Sequence, residues 1–156
     1  MGRSRQALIQ AVGSAVQAYQ RSTDALDDLA ATRLGVNRRD LRGLDWLSDG
    51  PMTAGQLAEA TGLSSAATTT LLDRLEQKGL VRRLRDAADR RKVLVEMTEL
   101  GQRLTGEIYG PLAREGADML ERYSDDELAL ALEILDASRD VTDRHRISIQ
   151  ERVRTA

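Results

Sequence analysis

Residues 56–101 read QLAEATGLSSAATTTLLDRLEQKGLVRRLRDAADRRKVLVEMTELG and contain the clearest structural pattern of the chain. Two helical patterns meet at Gly62, the second ends at Gly79, and two β-rich runs at 81–85 and 92–97 flank a polar loop. The order of helix, glycine turn, helix and hairpin is that of a winged helix-turn-helix. The sequence therefore predicts a mainly α fold with a small β-hairpin wing.

Local end signals bound the helices of this region. Thr53 and Gln56 form a capping-box pattern before a helix at 54–61, and Ser64 or Ser65 caps the helix that follows. The remaining helices predicted from apolar spacing are 3–34, 38–48 after an Asn37 cap, about 99–122 after a Thr98 cap, and a last one opened by Ser124.

Composition excludes several classes of protein. The 156 residues include no Cys and one His, His145, which excludes disulfides and thiol catalysis and argues against a histidine-rich metal site. No apolar run approaches the roughly 20 residues that span a bilayer, and no signal peptide is evident. We therefore expect a cytoplasmic protein that is not an enzyme and has no membrane segment, metal or cofactor.

Charge is unevenly distributed along a chain whose net charge is −2. Residues 74–92 carry eight basic and three acidic side chains, a net of +5, whereas residues 99–140 have a net of −7. Electrostatic fields near a surface are local at physiological salt. The basic segment can therefore bind a polyanion although the whole chain is acidic.

The second helix of the motif has small hydroxyl side chains in its first turns. Ser64, Ser65, Thr68, Thr69 and Thr70 can exchange hydrogen bonds with base edges, and threonine methyls can contact thymine methyls. The alternative is that these residues only cap an ordinary helix or line its exposed side. Three consecutive β-branched residues argue against it, because such residues are mediocre helix formers. One turn further along the helix, we expect Arg74 to contact a phosphate.

The hairpin loop places three cations beside one acid. Arg90, Arg91 and Lys92 are candidates for contact with phosphates or with a narrow minor groove. Asp89 would repel phosphate, so we expect it to orient a neighbouring arginine and thereby organise the wing. The alternative interpretation is that these charged residues only face water and bind no partner.

The combined motifs resemble the core of the MarR family, the multiple-antibiotic-resistance-type regulators. The matching positions are Leu57-Ala58, Gly62-Leu63-Ser64, Leu71, Asp73-Arg74-Leu75-Glu76, Lys78-Gly79-Leu80-Val81, Asp89-Arg90-Arg91, Leu94 or Val95, and Thr98 with Gly101. With the flanking helices, the resemblance covers nearly the whole chain. It implies a homodimer on pseudo-palindromic double-stranded DNA, usually a repressor and often released by a small-molecule effector.

The resemblance also assigns roles to residues. It implies that Arg91 makes the minor-groove contact of the wing and that Ser65, Thr69 and Thr70 face the major groove. Members often have a basic residue where this chain has Thr70, so base preference at that position is not carried over. As one domain over 1–156, the chain is predicted to use 37–98 as its DNA-binding lobe and the flanking 1–36 and 99–156 for dimerisation.

The apolar stripes at both ends of the chain support dimerisation independently, since the intervening core is too small to cover them. Packing within a monomeric bundle is the alternative. Trp46 and Tyr19 either border an effector cavity or pack in the core, and the sequence assigns no effector-binding residue. A winged-helix module that binds protein, or a small-molecule-binding protein without sequence-specific DNA binding, are the competing functions.

Overall fold

The computed structural model describes residues 4–85, 89 and 92–155. It is mainly α-helical with one small antiparallel sheet, as the sequence predicts. The elements in chain order are α1 Arg5–Leu34, α2 Arg38–Ser48, β1 Met52–Thr53, α3 Ala54–Thr61, α4 Ser65–Gln77, β2 Val81–Arg85, β3 Val93–Met97, α5 Glu99–Leu120 and α6 Asp125–Thr155.

The predicted helix caps are confirmed. Thr53 and Gln56 form a reciprocal capping box at the start of α3. Asn37 caps α2, because its side-chain oxygen accepts a hydrogen bond from Asp40 N. Gly79 ends the α4 segment with a φ of 70°, a left-handed conformation that glycine adopts without a Cβ clash. These short-range signals set where each helix of the motif begins and ends.

The sheet has one more strand than the predicted hairpin. β2 and β3 pair antiparallel with Arg83 opposite Val95, and β1 adds to the other edge of β3 with Met52 opposite Val95. The strand order is therefore β1-β3-β2. β1 was missed because two residues carry no periodicity of their own. β3 begins at Val93, one residue later than predicted.

The hydrophobic core lies under the helix-turn-helix and the sheet. The end of α1, α2, α3, α4 and strands β2 and β3 contribute to it. Its buried apolar residues are Ala30, Ala31, Leu34, Leu41, Leu44, Leu47, Leu57, Leu71, Leu72, Leu75, Leu80, Val81, Val95 and Met97. α4 is thus held on one side by a leucine stripe, and its opposite side is left at the surface.

The chain divides into two compact units, Met1–Gly110 and Pro111–Ala156. The first contains the helix-turn-helix, the sheet and the core. In the second, no residue of α6 whose side chain the structure describes is buried. None of the helices in the described part of the chain has the length and apolar content needed to cross a bilayer.

Candidate nucleic-acid interface

α4 begins at Ser64, whose side-chain Oγ accepts a hydrogen bond from Ala67 N at 3.3 Å. Of the two predicted cap candidates, Ser64 is therefore the cap. Its oxygen satisfies a backbone donor of the first turn that would otherwise lack a partner. Ser65 lies in that turn and is exposed, so its hydroxyl is at the surface.

The next turn exposes two threonines. Thr69 Oγ1 donates to Ser65 O, and Thr70 Oγ1 donates to Ala66 O, each at 3.0 Å. Threonine in a helix commonly donates back in this way to the carbonyl four residues earlier. The oxygen lone pairs and the methyl groups remain available. Ser65, Thr69 and Thr70 thus form a small polar surface on the outer side of α4, which we call the α4 hydroxyl surface.

Thr68 does not belong to this surface, which corrects its prediction as a DNA-binding residue. It is only 1% exposed, and its hydroxyl donates to Ser64 O at 3.1 Å. The reason is helical spacing, because Leu71, Leu72 and Leu75 fix the buried stripe of α4 and position 68 continues that stripe one turn earlier. The same spacing, applied to the threonine run, would have identified Thr68 as inward-facing.

Arg74, the predicted phosphate contact, is engaged inside the protein. Its Nε and Nη2 donate to the two carboxylate oxygens of Asp40 at 2.9 and 2.5 Å. The Asp40 side chain is 2% exposed, and that of Arg74 is 41% exposed. Asn37 Nδ2 also donates to Asp40 Oδ2 at 2.8 Å. The hydrogen bonds to Asp40 raise the pKa of the Arg74 guanidinium. Their bidentate geometry shows that Arg74 is paired with an acid of its own chain.

The strand β2 is tied to its surroundings by two arginines. Arg82 Nε donates to Glu96 Oε1 on β3 at 2.7 Å. Arg83 donates to Asp73 Oδ1 at 2.6 Å and also to Glu76, both on α4. Arg82 and Arg83 are therefore each balanced by an acid. The ion pairs of Arg83 connect the wing to the outer side of α4.

The wing loop is described only in part. Arg90 and Arg91, two of the predicted DNA-binding residues, lie outside the described residues. Lys92 is exposed, and its backbone N donates to Asp89 O at 2.8 Å. Arg85, at the other end of the loop, is exposed as well. Both strand ends beside the loop thus present a basic side chain.

Sequence reasoning missed Asp40 and the role of Arg83. An acid in the first turn of a helix is explained by the helix dipole alone, and Asp40 therefore gave no sign of a distant partner. Asp40 and Arg74 are 34 residues apart. Arg83 was counted only as one of eight basic residues. No local pattern identifies these pairs, because the fold brings their members together.

The first unit contains a pocket of about 550 Å³. Tyr109 OH donates to Asp27 Oδ1 at 2.8 Å at this pocket, and burial together with that bond raises the pKa of Tyr109. Neither Trp46 nor Tyr19 lines it, although both were considered for an effector cavity. The lining residues are Asp27, Leu41, Arg42, Leu44, Asp45, Leu47, Ser48, Met97, Gln102, Thr105, Gly106 and Tyr109.

Asp45 is the second carboxylate of the pocket. Desolvation raises its pKa, and the neighbouring charges of Asp27 and Asp49 raise it further. Arg42 acts in the opposite direction. Among the described residues, no three acidic or histidine side chains are arranged to hold a metal ion. The pocket combines an apolar wall with two carboxylates.

Comparison with known proteins places this geometry in a family. The sequence model of the MarR family matches residues 34–92. The uncharacterised HTH-type transcriptional regulator YcgE of Bacillus subtilis is 34% identical over 132 residues, which cover 82% of this chain and 86% of that protein. The family match and this relative identify the chain as a transcriptional regulator and not as an enzyme.

Solved structures share the fold. A MarR family protein from Bacillus stearothermophilus matches with a TM-score of 0.64 at 24% identity, over 90% of this chain and 99% of the other. A mutant of MepR from S. aureus, bound to an oligodeoxyribonucleotide, matches with a TM-score of 0.55 at 19% identity, over 84% and 97%. The winged helix-turn-helix architecture is thereby confirmed.

Proposed function

Because this chain belongs to the MarR family and is a DNA-binding transcriptional regulator, we propose that it represses nearby genes as a homodimer on a pseudo-palindromic operator. Each subunit inserts α4 into a major groove and sets its wing against the adjacent minor groove. The two recognition helices lie about one turn of DNA apart, roughly 34 Å. Because such a protein acts on chromosomal DNA, we propose that it resides in the cytoplasm.

The observation that carries this proposal is the α4 hydroxyl surface. Ser65, Thr69 and Thr70 are exposed on a helix whose opposite side is buried in the core. A B-DNA major groove is about 12 Å wide and admits one helix, and hydroxyl and methyl groups can read base edges there. We assign base contacts to these three residues, and to Ser64 a contact that adds to its cap role.

The wing completes the interface. Exposed Lys92 and the neighbouring Arg90 and Arg91 supply the cations of the loop. We assign Arg91 to the minor groove, where negative potential is enhanced, and Arg90 and Lys92 to phosphates. The backbone carbonyl of Asp89 accepts a hydrogen bond from Lys92 N, and we assign the Asp89 carboxylate to organising the loop. Because the ion pairs of Arg83 join β2 to α4, we infer that the wing and the recognition helix keep a fixed relative position on DNA.

Dimerisation is supported by apolar side chains that remain in solvent. Leu8, Ile9 and Val12 of α1 are about half exposed. Along α6 the exposed apolar residues are Leu130, Leu132, Ile134, Leu135, Val141, Ile147, Ile149 and Val153. So many apolar side chains in solvent on both terminal helices need a partner, and a second copy of the chain supplies matching helices by two-fold symmetry.

We assign the release of DNA to a small-molecule effector in the pocket of the first unit. Its volume of about 550 Å³ falls within the ordinary range of sites for small ligands. Leucines form its walls, and Asp27 and Asp45 provide acceptors. An amphipathic molecule with a hydrogen-bond donor fits this chemistry.

A binding titration tests the proposal. Duplex DNA from directly upstream of the coding sequence is compared with a shuffled duplex of equal length, by fluorescence anisotropy at several salt concentrations. We expect at least hundredfold tighter binding of the upstream duplex, with a steep fall as salt rises. Equal affinity for both duplexes would support a protein-interaction module or a ligand-binding protein instead.

A further inference from the structure

We propose that Arg74 is a positioning residue, which sets the angle of α4 against α2 through Asp40, and that it does not neutralise a DNA phosphate. The inference rests on the proposed function, because it concerns how the recognition helix is presented to DNA. It reverses the role that the sequence predicts for Arg74.

The geometry of the pair is specific. Two guanidinium nitrogens of Arg74 reach two oxygens of one carboxylate, at 2.9 and 2.5 Å. A bidentate pair of this kind fixes the relative orientation of the two groups as well as their distance. The carboxylate is itself held on α2 by Asn37, whose side chain donates to Asp40 Oδ2 and accepts from Asp40 N. Arg74 is thus bound to a rigid acceptor.

Burial makes the pair hard to break. The Asp40 side chain is 2% exposed, and an uncompensated buried carboxylate is strongly unfavourable. If Arg74 turned to a phosphate, Asp40 would lose the cation that compensates it. The pair uses two of the five guanidinium N–H donors, so Arg74 could approach a phosphate without leaving Asp40. Its positive charge is already compensated by Asp40, however, and such a contact would add little neutralisation.

A second contact makes the pair a geometric clamp. One turn along α2 from Asp40, Gly43 is so close to α4 that an added Cβ would lie 2.9 Å from Leu71 Cδ2. Leu71 lies one turn before Arg74 on α4. Two contacts separated along both helices define their crossing angle. This angle determines how the α4 hydroxyl surface faces the groove.

The test compares Asp40→Asn, Arg74→Gln and the double variant on the upstream duplex, with dissociation constants measured over a range of salt concentrations. We expect each single variant to bind about tenfold or more weakly, and the double variant to be no weaker than the worse single variant. We expect the slope of log affinity against log salt to stay at the wild-type value. Arg74→Lys, which keeps the charge and loses the bidentate geometry, should be impaired like Arg74→Gln.

A phosphate contact gives the opposite pattern. Asp40→Asn would then bind as well as wild type or better, since Arg74 is released, and Arg74→Gln alone would reduce the salt slope by about 0.9. That result, or wild-type binding by all variants, would overturn the inference. If wild-type protein ignores the duplex, the proposed function fails instead.

Folding is controlled separately. Circular dichroism establishes the folded fraction of every variant at the assay temperature. If a single variant is unfolded, the combined Asp40→Leu and Arg74→Met replacement removes both charges, which folded proteins often tolerate. Its salt slope then decides: the wild-type slope with weaker binding supports positioning, and a slope reduced by about 0.9 contradicts it.

Discussion

At the scale of single residues, α4 uses one residue type in two ways. Thr68 is buried and completes the leucine stripe, whereas Thr69 and Thr70 are exposed. All three hydroxyls donate to a carbonyl four residues earlier. Because their internal hydrogen bonds are equivalent, only exposure separates a core threonine from a groove-facing one.

We predict that Thr68→Val and Thr69→Val separate these roles. Val is nearly isosteric with Thr, and Ser64 O keeps its bond from the residue 68 backbone N, so Thr68→Val should leave operator affinity within about twofold. Thr69→Val removes one surface hydroxyl and should weaken operator binding by roughly three- to tenfold, the worth of one hydrogen bond. Anisotropy titrations check both values. Equal losses in the two variants would remove the distinction.

Asp45 gives a pH-dependent prediction. Its pKa is raised above the ordinary 3.8 in the folded protein, so the folded state binds this proton more tightly than the unfolded chain does. The free energy of unfolding therefore falls as pH rises from 3.8 through the raised pKa, and the loss persists at neutral pH. Asp45→Asn should raise the Tm at pH 7, and the gain should shrink as the pH approaches 4.

Thermal melts between pH 4 and 7 measure this effect. Asp118→Asn, an exposed acid of the second unit, is the matched control and should show no such pH-dependent gain. A Tm of Asp45→Asn at or below the wild-type Tm at pH 7 would contradict the prediction.

At the scale of elements, the sequence predicts what is encoded locally. The capping box at Thr53 and the left-handed Gly79 depend on a few neighbouring residues, so the ends of α3 and α4 could be predicted. The pairing of β1 with β3 and the Asp40–Arg74 ion pair depend on residues more than 30 positions apart. Such contacts are set by how the elements pack, and no short-range pattern specifies them.

Gly101, in the first turn of α5, lies very close to the residue that precedes β2. A Cβ added at Gly101 would lie 2.3 Å from Leu80 O, a backbone atom that cannot turn aside. We predict that Gly101→Ala lowers the free energy of unfolding by roughly 2 kcal/mol or more. In Gly106→Ala, where nothing lies within 4 Å, the better helix former should stabilise α5 by up to about 1 kcal/mol.

Urea unfolding measures both glycine variants with the same method. The pair is matched, since both glycines lie in α5 and undergo the same change. Similar midpoints for Gly101→Ala and Gly106→Ala would show that a side chain placed beside Leu80 does not lower the free energy of unfolding, and would contradict the prediction.

At the scale of the whole molecule, the proposed function requires the chain to self-associate. In the second unit, apolar residues of α6 are exposed, among them Leu132 and Leu135 at 61% and 62%. We predict that Leu132→Glu with Leu135→Glu converts a dimer to a monomer, because two buried charges in an apolar interface are costly. Sedimentation velocity measures the change, and operator binding should fall by at least tenfold as the second recognition helix is lost.

Glu133→Lys is the control for that experiment. It changes a charge on the same helix, between the two leucines, without adding a polar group to an apolar position. It should remain dimeric. Wild-type protein that sediments as a single chain at micromolar concentration would contradict the dimer.

A hydroxyl-radical footprint of the upstream region with purified wild-type protein tests whether paired copies of α4 and its wing read one operator. We expect two symmetric protected half-sites with centres about 10 base pairs apart, one helical turn of DNA. A single unpaired patch of protection, or none at low salt, would contradict it.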